Sequence, residues 1–347
     1  MLDAIHYLCL TKSAFGNSDL QHIKHGEQFF MTQGQFFRDN HNYLIDCNVQ
    51  QNKGKVFRNN KKEYERMSLH IGEFPCILMM PYDTDLIREG SEIRRKFFDN
   101  MISQCNPLYL QALMHYNQLL KQRNSTLQYF AEKNTYDKDL LESYNVPLLA
   151  LNEKIFAERQ HFSTLFVPLL QEYYQQISTN KEEATLFYES DLQGNSPLNL
   201  PTNSEQTDFK TEFKTDWKTD FKTLFYNNLQ KDLSTQRTTV GVHKDDYNFQ
   251  LRNLSVAKYG SQGQQKSYVI ALRMAQNKLI ANAKNNKPIL LLDDIFDKLD
   301  ENRMLQLLNY IDSENCGQVF ITDARPERTQ KLVEKLNKTV KIIELNS

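Results

Sequence analysis

Two adjacent carboxylates, Asp293 and Asp294, close the run Pro288-Ile289-Leu290-Leu291-Leu292. An apolar run flowing into paired acids describes a buried strand that ends in charge. At the carboxyl end of a parallel sheet a ligand can sit in the crevice beside the strands. There one acid can hold Mg²⁺ directly or through water, while its neighbour polarises an attacking water. The plainer reading is a buried strand entering a polar turn, since Asp is a frequent turn residue. Taken alone, the two readings weigh equally. Upstream, Tyr259-Gly260-Ser261-Gln262-Gly263-Gln264-Gln265-Lys266-Ser267 is a small-residue loop that opens a helix. Such a loop offers backbone N–H groups and a helix dipole to an anion, and Ser261 and Gln265 add side-chain donors. By itself it reads more simply as a loop with a polar cap. Asp297-Lys298-Leu299-Asp300 follows the paired acids directly.

The elements that must position these groups read as follows. Leu2, Ile5, Leu8 and Cys9 fall at helical spacing near the N-terminus, with no Ser, Thr, Asp or Asn ahead of Leu2 to cap them. From Phe29 to Met80, short runs such as Tyr43-Leu44-Ile45 and Cys76-Ile77-Leu78-Met79-Met80 alternate with polar turns and predict strands. Leu108 to Phe130 and Leu148 to Ile177 have a helical period, so the middle of the chain reads as a mostly helical arm or lid. Residues 194–206 read as a loop. Val269 to Ala283 predicts a helix, Val319 to Thr322 a second buried strand, and Val340 to Leu345 a third. This order gives an α/β core split by a helical insertion.

Asp208-Phe209-Lys210-Thr211 recurs as Glu212-Phe213-Lys214-Thr215, Asp216-Trp217-Lys218-Thr219 and Asp220-Phe221-Lys222-Thr223. On a helix the aromatics form a drifting stripe, but like charges then stack at i, i+4. On a strand Phe and Thr share one face. A basic-aromatic DNA platform is one use for the repeat. An insertion that packs its aromatics against the helical arm is the preferred one.

The chain has 347 residues, enough for a sizeable core, and its formal charge of -1 gives no global sign of a nucleic-acid partner. Any DNA surface must be a local basic patch. Five cysteines, none in a C-x-x-C pair, argue against a disulfide framework or zinc site and fit a reducing cytosol. No apolar run is long enough for a membrane span, and no signal peptide is evident. His22, His25, His41, His70, His115 and His161 show no paired metal spacing, and no nucleophile elbow stands out.

Taken together, the turn at Ser261, the strand ending in Asp293-Asp294 and the Asp297–Asp300 segment resemble the signature, Walker B and D-loop of an ABC-type ATPase head. S-Q-G-Q-Q and an Asp-Asp ending resemble the RecF family of ABC/SMC-like ATPases in particular. Gly241-Val242-His243-Lys244-Asp245-Asp246 is similar to that family's G-P-H-R-D-D. Tyr116, Leu120 and Gln122-Arg123-Asn124 are similar to its Y-x-x-x-L-x-Q-R-N. Pro81, Asp85, Leu86, Gly90, Arg94-Arg95 and Phe97-Phe98-Asp99 are similar to its P-x-D-L and R-R-x-F-L-D region. Asp3-Ala4-Ile5, Tyr7-Leu8 and Lys12-Ser13 are similar to the stretch after its phosphate loop. The resemblance spans nearly the whole chain. Departures are Val242 for Pro, Lys244 for Arg, Asp297 for Ser, and Asp323 where many ABC heads carry a switch His. The string G-x-x-x-x-G-K-[ST] occurs nowhere, and in the family it ends a few residues before the position of Met1. The expectation is a true start further upstream rather than a degenerate paralogue, because the other motifs show no decay.

The resemblance implies a P-loop NTPase fold. It implies an ABC-type head made from residues 1–92 and 236–347, with a helical arm at 93–235 that carries an insertion at 203–223. It implies ATP and Mg²⁺ as cofactors. Asp293 would organise the metal and Asp294 would orient or activate water. Ser261, Gln262, Gly263, Gln264, Gln265 and Asp300 would be nucleotide-binding positions, with Ser261, Gly263 and Gln264 reaching the γ-phosphate across a homodimer and Asp300 at its seam. It further implies an ATP-dependent clamp on single- and double-stranded, gapped DNA. That clamp would act in the cytoplasm in gap repair and the SOS response, with RecO- and RecR-type partners. Two other classes stay open at this point: a non-hydrolysing structural paralogue, and an SMC-like ATPase of another system such as phage defence.

Overall fold

The computed structural model describes residues 1–16, 18–178, 182–193, 216–313, 316–325, 327, 330, 331, 334, 336 and 338–344. Helix α1 (Leu2–Leu10) leads into β1 (Phe29–Arg38), β2 (His41–Gln50), β3 (Gly54–Asn59) and β4 (Lys62–Glu63), an antiparallel sheet in chain order. β5 (Cys76–Met79) belongs to a different, parallel sheet. Helices α2 (Asp85–Arg88), α3 (Ser91–Cys105), α4 (Pro107–Lys133) and α5 (Lys138–Ile177) follow, then β6 (Ala184–Glu189), α6 (Asp216–Asn227) and α7 (Leu229–Thr235). The closing segment contributes β7 (Asp246–Leu251), β8 (Leu254–Ser255), α8 (Val256–Tyr259), α9 (Gln262–Lys284), β9 (Ile289–Asp293), α10 (Glu301–Asp312) and β10 (Val319–Thr322).

The parallel sheet runs β10-β9-β5, so the strand ending in the paired acids is central. Cys76 to Met79 pair with Ile289 to Leu292, and Val319 to Thr322 pair with Leu290 to Asp293. Leu290, Leu291 and Leu292 are fully buried, as a continuous apolar strand covered on both faces requires. Leu290 and Leu292 enter one core and Leu291 the other, by the strand's period of two.

The long helices are set by their caps. Asn106 accepts from the backbone N–H groups of Leu108 and Tyr109, and Pro107 stands at the first helical position. The helix ends at Asn134 in the left-handed region. Asp137 caps α5, which runs on through Pro147 and Pro168. An interior proline removes a helical hydrogen bond. Here Leu141, Leu148, Leu151, Phe166 and Leu170, all buried around the two prolines, hold the helix together. The expectation of a helix starting at Leu148 therefore falls short by its first turns.

The mostly helical middle segment also carries one strand, β6, which pairs antiparallel with β7 of the closing segment, Tyr188 opposite Tyr247. One further expectation changes. Residues 340–344 form no strand, and Ile342 and Ile343 are exposed. An alternation of apolar residues becomes a strand only where a sheet edge takes it up. Within the tetrapeptide repeat, Asp216 to Thr223 belong to α6 and Phe221 is buried. Asp208 to Thr215, and the loop expected at 194–206, lie outside the described residues.

The seam between the inserted helices and the closing segment carries buried polar contacts. Arg159 of α5 is fully buried and donates to Asp99 at 3.0 Å, to Asp245 at 2.7 Å and to the Val242 carbonyl at 2.6 Å. Arg123 of α4 pairs with Asp232 at 2.8 Å and donates to Thr238 and Asn145. Asn152 accepts from the Val242 N–H. Gly241 sits at φ 133°, and a Cβ there would stand 2.8 Å from Asn152 Oδ1, so only glycine fits. The stretches Tyr116–Asn124 and Gly241–Asp246 thus clamp the insertion to the rest of the chain.

Candidate functional site

Asp293 is the last residue of β9, and Thr322 Oγ1, on the neighbouring strand, donates to its Oδ1 at 2.6 Å. Asp294 leaves the strand in the left-handed region at φ 46°, with its N–H on the Thr322 carbonyl at 3.1 Å. A turn of that hand is tolerable for Asp. It redirects the chain into a 3₁₀ turn at Ile295–Lys298 immediately after the acids. The two carboxylates therefore stand at the carboxyl edge of the parallel sheet, where an open α/β sheet offers its crevice.

Beside that edge lies a cleft of about 400 Å³. Its walls come from the segment after β5 (Met80, Tyr82, Asp83), from Gln262, Lys266 and Arg273 of α9, and from Ile295 and Leu299 after the acids. Asp83 and Arg273 hold two of these walls together by a paired contact at 2.7 and 2.9 Å. Arg88 of α2 donates to Gln265 Oε1 at 2.8 Å, and Gln265 Nε2 donates to the Val256 and Gly260 carbonyls. Gln265 is buried and spends its side chain inside the protein, so its role is to pin the turn.

The turn itself is a capping box. Ser261 Oγ accepts from the Gln264 N–H at 3.2 Å, and Gln264 Oε1 accepts from the Ser261 N–H at 2.7 Å. Ser261 and Gln262 are exposed at the N-terminus of a 23-residue helix, the end that favours anions. Asp300 caps α10 by accepting from the Arg303 N–H, and it ion-pairs with the Arg303 guanidinium. Arg303 Nε donates to Ser267 Oγ at 2.7 Å, and a Cβ added at Gly263 would stand 2.8 Å from Arg303 Nη2. The residues singled out in the sequence thus form two groups: the acid pair on β9, and the turn at 261–265 with Asp300 against it.

Several contributors were missed by sequence reasoning. Arg303 had a weak signal, an acid and a base three residues apart at a helix start. Arg88, Arg273 and Thr322 had none, because their partners are remote in sequence. His70, set aside above, is a buried structural residue: Nε2 donates to the Leu8 carbonyl at 2.7 Å. Among the described residues no cluster of His, Cys, Asp and Glu is suited to a metal on its own.

No family model matches the chain. It is 39% identical over 345 residues to the DNA replication and repair protein RecF of Flavobacterium johnsoniae, covering 99% of this chain and 89% of that protein. The RecF proteins of Cytophaga hutchinsonii and Phocaeicola vulgatus are 39% and 36% identical over 95% and 99% of this chain, and 81% and 85% of their own lengths are covered. Among solved structures, the recombination mediator protein RecF-ATPrS in the RecFOR pathway superposes with a TM-score of 0.81 at 24% identity, over 94% of this chain and 83% of that one. That likeness gives the fold.

Proposed function

The chain belongs to the RecF family of DNA replication and repair proteins, and from that premise we propose that it is an ATP-dependent clamp on DNA that closes by homodimerisation. The observation that carries the proposal is the pairing of two features: a rigid capping-box turn exposing Ser261 and Gln262 at a helix N-terminus, and adjacent carboxylates at the carboxyl edge of a parallel sheet. The first suits a terminal phosphate. The second suits a hard dication, which takes oxygen ligands.

In this reading Asp293 holds Mg²⁺ and Asp294 orients the attacking water. Bound Mg²⁺ would neutralise charge on the phosphates. Thr322 fixes the Asp293 carboxylate, and the left-handed turn at Asp294 separates the second acid from the first. Ser261, Gln262 and Gly263 meet the nucleotide of the opposite subunit, Gln264 and Gln265 hold the turn that presents them, and Asp300 lies at the seam. ATP favours the closed state through contacts made only there. Residues 1–92 and 236–347 form the head, and 93–235 the arm. DNA contact is directed mostly at phosphates and weakens with salt. The partners are gapped DNA and RecO- and RecR-type repair proteins, in the cytoplasm and in the SOS response. Among the described residues no helix is long and apolar enough to cross a membrane. The relatives favour neither a non-hydrolysing structural paralogue nor a phage-defence ATPase.

The test is nucleotide-driven dimer formation with ATP and Mg²⁺ by the chain extended to carry the phosphate loop expected ahead of Met1, followed by light scattering. Ser261→Arg should abolish it, because a bulky cation blocks the turn. Undiminished dimer formation by that variant would remove the basis of the reading.

A further inference from the structure

The turn at 261–265 is not held by the head alone. Gln264 has two ends, and both are in use. Its Oε1 accepts from the Ser261 N–H, which can only donate, so its Nε2 faces the other way. There it donates to both oxygens of Glu182, at 2.9 and 3.1 Å. Glu182 lies between α5, a helix of the insertion, and β6. It is 6% exposed. Tyr174 of α5 donates to its Oε2 at 3.1 Å, and Arg252, in the turn between β7 and β8, approaches Oε1 at 3.4 Å. A buried carboxylate that accepts several hydrogen bonds is costly to leave unmatched. The turn is also packed by Arg303, which reaches Gly263, Ser267 and Asp300.

We propose that Glu182 is a positioning residue for the nucleotide-facing turn, a latch through which the inserted helices set the placement of Ser261 and Gly263. The proposal rests on the functional reading above and deepens it, since it names the route by which the arm and the nucleotide site feel each other. The route is short: Tyr174 on α5, Glu182, Gln264, then the Ser261 backbone. A cavity of about 200 Å³ borders Glu182, Gln264, Asp300 and Arg303. It gives a released Gln264 amide room to turn. Movement of the carboxyl end of α5, as when the arm takes hold of DNA, would then loosen or tighten the turn.

The test compares the same extended chain with its Glu182→Ala, Glu182→Gln and Ser261→Arg variants. Two quantities are read: hydrogen exchange across residues 260–266 without nucleotide, and the ATP concentration at half-maximal dimer formation. Glu182→Ala should speed exchange in that turn by about tenfold and raise the half-maximal ATP by about tenfold, the size of one lost charge-assisted bond. The later turns of α9 should not change, and the thermal midpoint should fall by only a few degrees. Glu182→Gln keeps an acceptor oxygen and should stay within about threefold of wild type on both measures. Wild-type exchange in Glu182→Ala overturns the latch whatever nucleotide does. Faster exchange with unchanged dimer formation, while Ser261→Arg blocks it, overturns the coupling and leaves the functional reading standing. Dimer formation by Ser261→Arg at wild-type level ends the functional reading, and the proposal with it.

Discussion

His243 has a polar partner on each ring nitrogen in the clamp between arm and head. The Thr238 carbonyl, 3.0 Å from Nε2, can only accept, so Nε2 carries the proton and Nδ1, 2.7 Å away, accepts from the Tyr116 hydroxyl. Burial is the main cause that pushes the imidazole down to about 4; Lys244, Arg95 and Arg123 push the same way, against the Thr238 bond. A histidine whose folded pKa lies below its unfolded value of about 6.5 takes up a proton on unfolding between the two. Its contribution is therefore whole above about pH 6.5 and disappears as the pH falls toward 4, amounting to about 3 kcal/mol at most. Asp245, pushed up to about 6 by burial, acts in the opposite sense over the same range, so the check is differential: thermal denaturation at stepped pH should show His243→Gln losing less stability than wild type as the pH falls from about 6.5 toward 4. A slope unaltered by the substitution would show that other groups govern it. At this scale the sequence exposed what is chemically unusual. Paired acids after an apolar run, and Ser-Gln-Gly-Gln-Gln before a helix, are visible without a fold. Glu182 and Arg273 were invisible, because an acid and a base that meet only through folding look like any surface charges until both are placed.

Helices and strands were legible where their own period decides them. β9, β10, α4 and α9 follow from apolar runs or 3.6-residue spacing, and the Asn106-Pro107 start of α4 carries its own cap. Elements decided by tertiary contacts were not. The turns of α5 ahead of Leu148 pass Pro147 because buried side chains on both sides hold them, and β6 forms because β7 offers an edge. The tetrapeptide repeat is the sharper case, since its alternation suits a strand and its i, i+4 aromatics suit a helix. α6 takes the helical option at its described end, where Phe221 and Phe225 are buried and the Arg123 guanidinium lies 5.0 Å from the Phe225 ring centre. Burial of the aromatics outweighs the like-charge spacing, which is worth only a few tenths of a kcal/mol per pair. Phe225→Ala should therefore cost about 3–5 kcal/mol in urea denaturation, while the exposed Lys222→Ala should cost under about 0.5 kcal/mol. A Phe225→Ala loss as small as that of Lys222→Ala would mean that α6 is not anchored to the arm.

At the scale of the molecule, the arm and the parallel sheet share one core. Phe166, Leu170 and Tyr174 of α5 sit in the same buried cluster as Tyr268 and Ile270 of α9, Leu290 and Leu292 of β9, and Leu307 and Tyr310 of α10. The antiparallel sheet has a second, smaller core, built by Ile45, Cys47, Val49 and Phe57 against Leu8 and the far face of β9 through Leu291. The sequence indicated an arm inserted into a head made of both chain ends but not this shared packing, because periodicity tells which residues face inward and not which neighbour they face. Regions that share buried contacts open together, and those joined by a narrower contact open at lower free energy. Native-state hydrogen exchange in rising urea should thus give the amides of α5 and α9 one common opening free energy, equal to that of global unfolding. The strands β1 to β3 should open at a lower value. A separate, lower opening of α5 would divide the arm from the head. It would also remove the rigid path on which a carboxylate at the end of α5 can act on a turn of α9.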